Sequence, residues 1–191
     1  MEACLGLLES KTIARGIEAA DAMTKEASIA LFFVRAIEPG RQVTLVSGPV
    51  EDVRLALRRG RAVLAEDLVE ELFLPGAHPS ILDAIATARS RLEGFAQPAA
   101  LFALGLVECA TVASTLLAAD AAAKEARVRL AAVRFGADMG GKGLVAVLGE
   151  VSDVEAAVAK AAFLAEERAT LVRTAVIANP NEPLIERVLN V

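Results

Sequence analysis

The chain repeats itself. Leu5-Gly6-Leu7-Leu8-Glu9 returns as Leu104-Gly105-Leu106-Val107-Glu108, and residues 5–31 laid over 104–130 without a gap agree at fourteen of twenty-seven positions. Chance would give about four matches in an alanine-rich chain, so the sequence holds two copies of one domain. The register resumes downstream, where Gly48-Pro49-Val50-Glu51-Asp52-Val53 aligns with Gly149-Glu150-Val151-Ser152-Asp153-Val154 and the offset has grown from 99 to 101. The second copy therefore has two more residues between Leu130 and Gly141 than the first has between Leu31 and Gly40. A loop of altered length is where the halves are most free to differ in function.

Two copies in 191 residues make two small domains, assigned to 1–90 and 101–191, with 91–100 as a linker that carries Gly94 and Pro98. Such domains bury only a modest share of their surface. Yet 55% of the residues are hydrophobic and the mean hydropathy is +0.49. The surplus implies surface buried between domains and between chains. Alanine is the commonest of these hydrophobic residues and there is no Trp or Tyr, which favours flat, close contacts over an aromatic-lined cleft.

The net charge of −5 argues against a nucleic-acid partner, and Arg58-Arg59-Gly60-Arg61 reads as a solvated helix face. The longest apolar run, Ala99–Val107, is too short to span a membrane. The N-terminus carries acidic Glu2 and no basic region ahead of an apolar stretch, so no secretory signal is visible and the cytoplasm is the expected location. Cys4 and Cys109 lack metal-ligand spacing and do not correspond in the repeat, which fits free thiols.

Each half reads β-α-β-β-α-β with a terminal helix, an α+β, split-βαβ (ferredoxin-like) order. In the first half, strands are expected at Ala3–Glu9, Ile29–Val34, Val43–Val46 and Val69–Leu74, the last ended by Pro75-Gly76. Helices are expected at Thr12–Ala27, from Pro49 to about Ala65, and at Ser80–Ala86. In the second half Ser152 and Glu155 have the spacing of a capping box at the start of the long helix. Leu171–Ala178 is its final strand.

The paired segments LGLLESKTIARGIEAADAMTKEA and LGLVECATVASTLLAADAAAKEA resemble the opening strand and helix of bacterial microcompartment (BMC) shell domains. The junctions at Gly48–Val53 and Gly149–Val154, and the strand ends Leu74-Pro75 and Ile177–Pro180, are similar to those of the same family. The chain is thus identified as a tandem-domain BMC shell protein of the unpermuted, single-layer, propanediol-utilisation type. The resemblance implies a structural tile: a pseudo-sixfold homotrimer tiling with hexameric and pentameric shell proteins around encapsulated enzymes. It also implies a central pore for small metabolites, lined by Ile37, Glu38, Pro39, Gly40, Asp138, Met139, Gly140 and Gly141, and lateral contacts through Lys25, Lys124, Asn179 and Pro180. Related tandem proteins place a cysteine at the loop position held here by Glu38, where three copies bind an iron–sulfur cluster. With a carboxylate there, no cofactor and no metal is expected.

Catalytic patterns are weak. His78 is the single histidine and has no acid or nucleophile at a recognisable spacing, and no GxSxG elbow occurs around Ser10, Ser47 or Ser114. Gly140-Gly141-Lys142-Gly143 lacks phosphate-loop spacing and precedes a strand. A non-enzymatic role is expected. A ferredoxin-like metabolite-binding regulator is the alternative from a different class, and an electron-transfer shell variant is disfavoured by Glu38.

Overall fold

A computed structural model of the chain describes residues 3–87, 102–136, 139–181, 183–185 and 187, so the linker 91–100 and Asp138 lie outside the described residues. It contains β1 (Ala3–Ser10), α1 (Ile13–Glu26), β2 (Ala30–Ile37), β3 (Arg41–Gly48), α2 (Val50–Leu64), β4 (Leu68–Ala77) and α3 (Ser80–Thr87). The order then repeats as β5 (Phe102–Cys109), α4 (Val112–Glu125), β6 (Arg129–Phe135), β7 (Gly143–Glu150), α5 (Val151–Glu167) and β8 (Leu171–Ala178). The two sheets have matching strand orders, β2-β3-β1-β4 and β6-β7-β5-β8, which is the split-βαβ arrangement.

The chain divides into two compact units: 1–77 with Thr111–Ala113 and Phe135–Gly141, and 78–110 with Ser114–Arg134 and Lys142–Val191. In the first unit, β1 pairs antiparallel with β3 and β4, and its inward residues meet both helices. Leu8, Ala19, Met23, Val46, Val53, Leu57 and Leu64 form one buried cluster. The amphipathic spacing of α1 thus places Ala19 and Met23 inside and leaves Arg15, Glu18 and Lys25 outside. In the second unit Phe102, Leu104, Ala131, Ala132, Ala146 and Leu148 pack with Ile185.

Glycine sets how closely the second helix of each copy approaches the central strand. A Cβ built on Gly6 would lie 2.7 Å from Val53 Cγ1, and one on Gly105 would lie 2.6 Å from Val158 Cγ2 and 2.7 Å from Val154 Cγ1. These are repeat-equivalent positions in the two LGL motifs. The obstructing atoms belong to β-branched helical residues, whose χ1 is nearly fixed.

Three local expectations are corrected. β4 runs through Pro75-Gly76 to Ala77 instead of stopping before them. The β1–β4 register jumps between Ala3↔Ala77 and Leu5↔Leu74, so the Pro-Gly pair is accommodated at a bulge. β4 is an edge strand, where a missing N–H is tolerated. The capping box at Ser152 does not form: α5 starts at Val151, Glu150 is its N-cap, and no side chain caps it. β2 extends three residues beyond Val34 to Ile37, because its ladder with β3 continues through Arg35↔Val43, Ala36↔Gln42 and Ile37↔Arg41.

Gly105→Ala is expected to destabilise the fold by about 1–3 kcal/mol, the usual cost of overpacking a core. A chemical-denaturation midpoint equal to that of the unmodified protein would show that the helix approach is not steric in origin.

Candidate functional site

The loop between β2 and β3 is short because the ladder runs to its last residue. Ile37 closes β2 and is 4% exposed, so it anchors the turn, while Glu38, Pro39 and Gly40 stand in solvent. Within the same compact unit, Gly140 N–H donates to Glu38 Oε2 at 3.3 Å. Gly141 has φ +82°, and a Cβ there would meet Glu38 O at 2.8 Å, so this approach needs glycine on both counts. The expected pore residues Glu38 and Pro39 are therefore brought beside Gly140 and Gly141. Met139 is half-buried next to them.

The expected edge residues are separate from this loop pair. Lys25 Nζ lies 2.5 Å from Asp21 Oδ2 and is 73% exposed. Lys124 Nζ lies 2.7 Å from Asp120 Oδ2 and is 45% exposed. Asp120 also accepts the His78 backbone N–H at 2.8 Å, so it ties the start of α3 to α4. Asn179 is exposed, adopts φ +47° and donates its N–H to Phe102 O at 2.8 Å, so the turn before Pro180 is anchored on the first residue of β5. His78 Nδ1 is 2.7 Å from Ser80 Oγ at the N-terminus of α3, a local turn contact.

One charged group went unassigned in the sequence. Glu9, the acid that ends the first LGLLE motif, is fully buried. Its Oε1 lies 2.9 Å from Arg41 Nη1 and its Oε2 accepts Val112 N–H at 3.0 Å. Nearby, Thr111 Oγ1 donates to the Glu70 carboxylate. The repeat-equivalent pair, Glu108 Oε1 and Lys142 Nζ at 2.9 Å, is half-exposed. The signal was present as an acid at the same place in both copies, each followed 32 or 34 residues later by a cation.

Both cysteines are buried on the central strands, and no disulfide joins them. Burial raises the Cys4 thiol pKa, against a smaller lowering by Arg54. Among the described residues, no cluster of three or more His, Cys, Asp or Glu is placed to hold a metal ion. No described helix is long and apolar enough to cross a membrane.

A family model described as "BMC domain" matches residues 4–77 and again 103–180. The chain is 37% identical over 184 residues to the bacterial microcompartment shell protein PduT of Citrobacter freundii, covering 96% of each. It is 30% identical over 165 residues to the carboxysome assembly protein CcmO of Synechocystis, across 82% of this chain and 54% of that one. The crystal structure of a microcompartments protein from Desulfitobacterium hafniense superposes with a TM-score of 0.81 at 38% identity, covering 96% of this chain and 98% of that one.

Burial raises the Glu9 pKa above its ordinary value, a larger effect than the opposing bonds from Arg41 and Val112, and Glu70 adds to the rise. The folded state then holds its proton more tightly than the unfolded one. Stability from this site is full below the unfolded pKa and falls as pH rises through the folded value. Glu9→Gln lacks this slope, so its unfolding free energy should gain on the unmodified protein as pH rises from about 4 to 7. A relative loss over that range would mean that Arg41 and the helix N–H outweigh burial.

Proposed function

This chain belongs to the BMC-domain family as a tandem-domain shell protein, and from that premise we propose that it works as a homotrimeric tile closed head to tail. The observation that carries this is a mismatch between the copies. Ile13, Ile17, Leu31, Phe32 and Val34 of the first copy are 37–52% exposed, whereas their counterparts Val112, Leu116, Leu130, Ala131 and Val133 are at most 6% exposed. The edge strands differ the other way: Leu72 is buried on β4 while its counterpart Ala175 is exposed on β8, where Val172 and Val176 are exposed too.

A chain with one open face of each kind satisfies both through a heterologous contact with another copy, which forms a ring if the rotation closes. The family resemblance supports three as the number of copies in that ring. The repeated ion pair supports the same contact. Glu9 binds the N–H of Val112 at the head of α4, and the counterpart of Val112 is Ile13 at the head of α1, where Thr12 provides no side-chain cap. Glu108 of a neighbouring copy would fill that role, with Lys142 standing where Arg41 stands in the first pair.

In such a ring the loops carrying Glu38, Pro39 and Gly40 and those carrying Met139, Gly140 and Gly141 would surround the axis, with Ile37 bracing the first and Asp138 in the second. Three Glu38 carboxylates would make the opening electronegative and suit it to neutral or cationic metabolites. Lys25, Lys124, Asn179 and Pro180 would face adjoining tiles. Hexameric and pentameric shell proteins would be those neighbours, with enzymes enclosed behind them and no catalytic role for the tile itself. The shell relatives favour this reading over a metabolite-binding regulator.

Light scattering should give about 60 kDa, three times 19.9 kDa. Ile17→Glu with Val34→Glu, both at exposed positions of the single chain, should lower the mass to that of one chain while the far-ultraviolet circular dichroism stays unchanged. A well-folded monomer of the unmodified protein at micromolar concentration would sink the proposal.

Lys25→Ala combined with Lys124→Ala should leave the trimer mass intact and abolish or thin the sheets seen by electron microscopy. Each i,i+4 pair is worth only about 0.2–0.5 kcal/mol to its helix. Small lateral losses, in contrast, multiply over many repeated edges. Unchanged sheets would remove both lysines from the edge.

A further inference from the structure

The basic run in α2 lies on an exposed helix face, and part of it lines a groove. Arg54, Arg58 and Arg61 are spaced four and three residues apart, which aligns them on one stripe of the helix. Together with Glu71 and Phe73 of β4 they line a groove of about 400 Å3. That volume is within the usual range for a small-molecule site, about 300–1,000 Å3.

The groove has an internal charge pattern. The Arg54 guanidinium lies over the Phe73 ring, 4.7 Å from its centroid, and its Nε is 3.6 Å from Glu51 Oε1. Arg61 Nη1 is 3.5 Å from Glu71 Oε2. Both separations exceed the roughly 2.7–2.9 Å of a tight charge-assisted hydrogen bond. They leave guanidinium N–H groups available, since each fork carries five donors. Arg58 stands between the two, with no ion pair among the described residues. Three guanidinium groups against two carboxylates leave one positive charge in a chain whose net charge is −5.

The second copy serves as an internal control. At the positions equivalent to Arg54, Arg58 and Arg61 it has Glu155, Ala159 and Ala162. Opposite the matching residues of the central strand, Thr174 and Val176 replace Glu71 and Phe73. The same helix-on-strand frame is therefore built without any of these cations, so the arginine stripe is not needed to fold the domain. The groove is also on the β4 side of the sheet, whereas β2, part of the face proposed above for trimer closure, is the opposite edge.

We propose that this α2–β4 groove binds a small organic oxyanion, a carboxylate or a phosphate ester. Arg58 would hold the oxyanion in a forked contact, and the apolar part of the ligand would lie along Leu55 and Phe73. Arginine suits this better than lysine because its planar fork matches the two oxygens of either group. One ligand per chain is expected, three in a trimer.

The test is calorimetric titration of the full-length assembled protein with benzoate, phenyl phosphate and, as a neutral analogue, benzyl alcohol. The two anions should saturate at one per chain, the alcohol should not bind, and rising salt should weaken both anions. A preference between benzoate and phenyl phosphate distinguishes the two oxyanion sources. Arg58→Ala should weaken anion binding about tenfold or more, the loss expected for a charged hydrogen bond. Arg59→Ala removes the same charge one residue away, outside the groove, and should change affinity by less than about twofold. Both residues are exposed, and an unchanged trimer mass would confirm that each variant folds. Equal weakening by the two variants, or no saturable binding of either anion, would overturn the proposal. Binding of an acidic peptide without either small anion would also overturn it, and would make the groove a protein-docking surface instead.

Discussion

The approach of one helix to one strand, permitted by a missing side chain, underlies both halves of this molecule. Gly6 and Gly105 let α2 and α5 settle onto β1 and β5 with valine methyl groups where a Cβ would stand. Gly60 does the same from the helix side, since a Cβ there would lie 2.4 Å from Leu8 Cδ1 and 2.8 Å from Met23 Sδ. Interiors are packed as densely as organic crystals, so such gaps are filled and cannot be traded for a methyl group without movement elsewhere. Once the helix lies this close, its inner face is set by Val53, Ala56, Leu57 and Gly60, and its remaining stripe must project over the edge strand. The arginines of α2 reach β4 for that reason.

The second constraint is electrostatic. A carboxylate ends the central strand of each copy, and each copy supplies a cation from the start of its third strand. In the first copy the pair is sequestered, with Glu9 fully buried and Arg41 31% exposed. In the second it is open, at 34% and 48% for Glu108 and Lys142. Removing a charge from water is costly unless it is paired and hydrogen-bonded. Glu9 meets that condition with a guanidinium and a helix N–H, and among the described residues its counterpart is held by the ammonium. The same device thus stands at two stages of burial in the two copies.

Much of the fold was legible because the pattern is written twice. Alternating and helical periodicities gave the element order, and the final strand Leu171–Ala178 was located to the residue. Misplaced boundaries share one cause: local signals were read without the ladder that overrides them. Pro75-Gly76 reads as a strand stop, but an edge strand can absorb it at a bulge. Ser152 and Glu155 have a capping spacing, but α5 begins two residues too early for Ser152 to cap it. Ile37 reads as loop because Glu38-Pro39-Gly40 follows, yet it pairs with Arg41 and is buried. The nearness of Glu38 to Gly140 and Gly141 depends on residues about a hundred positions apart and was accessible only through the family resemblance. Glu9 was overlooked because an acid at the end of an apolar run looks like the run's solvent-facing boundary.

Duplication also separates what folding requires from what function has added. Positions that agree between the copies are those with a steric or electrostatic task in the frame: the LGL glycines, the strand-end acid, the Asp21–Lys25 and Asp120–Lys124 pairs. Positions that differ are released from that task. Two such places stand out, the loop that gained two residues and the outer stripe of the second helix. In the loop, the added length brings glycines with positive φ beside Glu38, which permits close backbone approach. On the helix, arginine in one copy faces alanine and glutamate in the other, on a backbone that tolerates both. In the trimer proposed above, each feature would occur three times in alternation, so chemistry placed in one copy would acquire threefold symmetry on a sixfold frame. A hexamer of identical single domains could not confine a feature to alternate positions in this way, and that freedom is the physical advantage of fusing two copies in one chain.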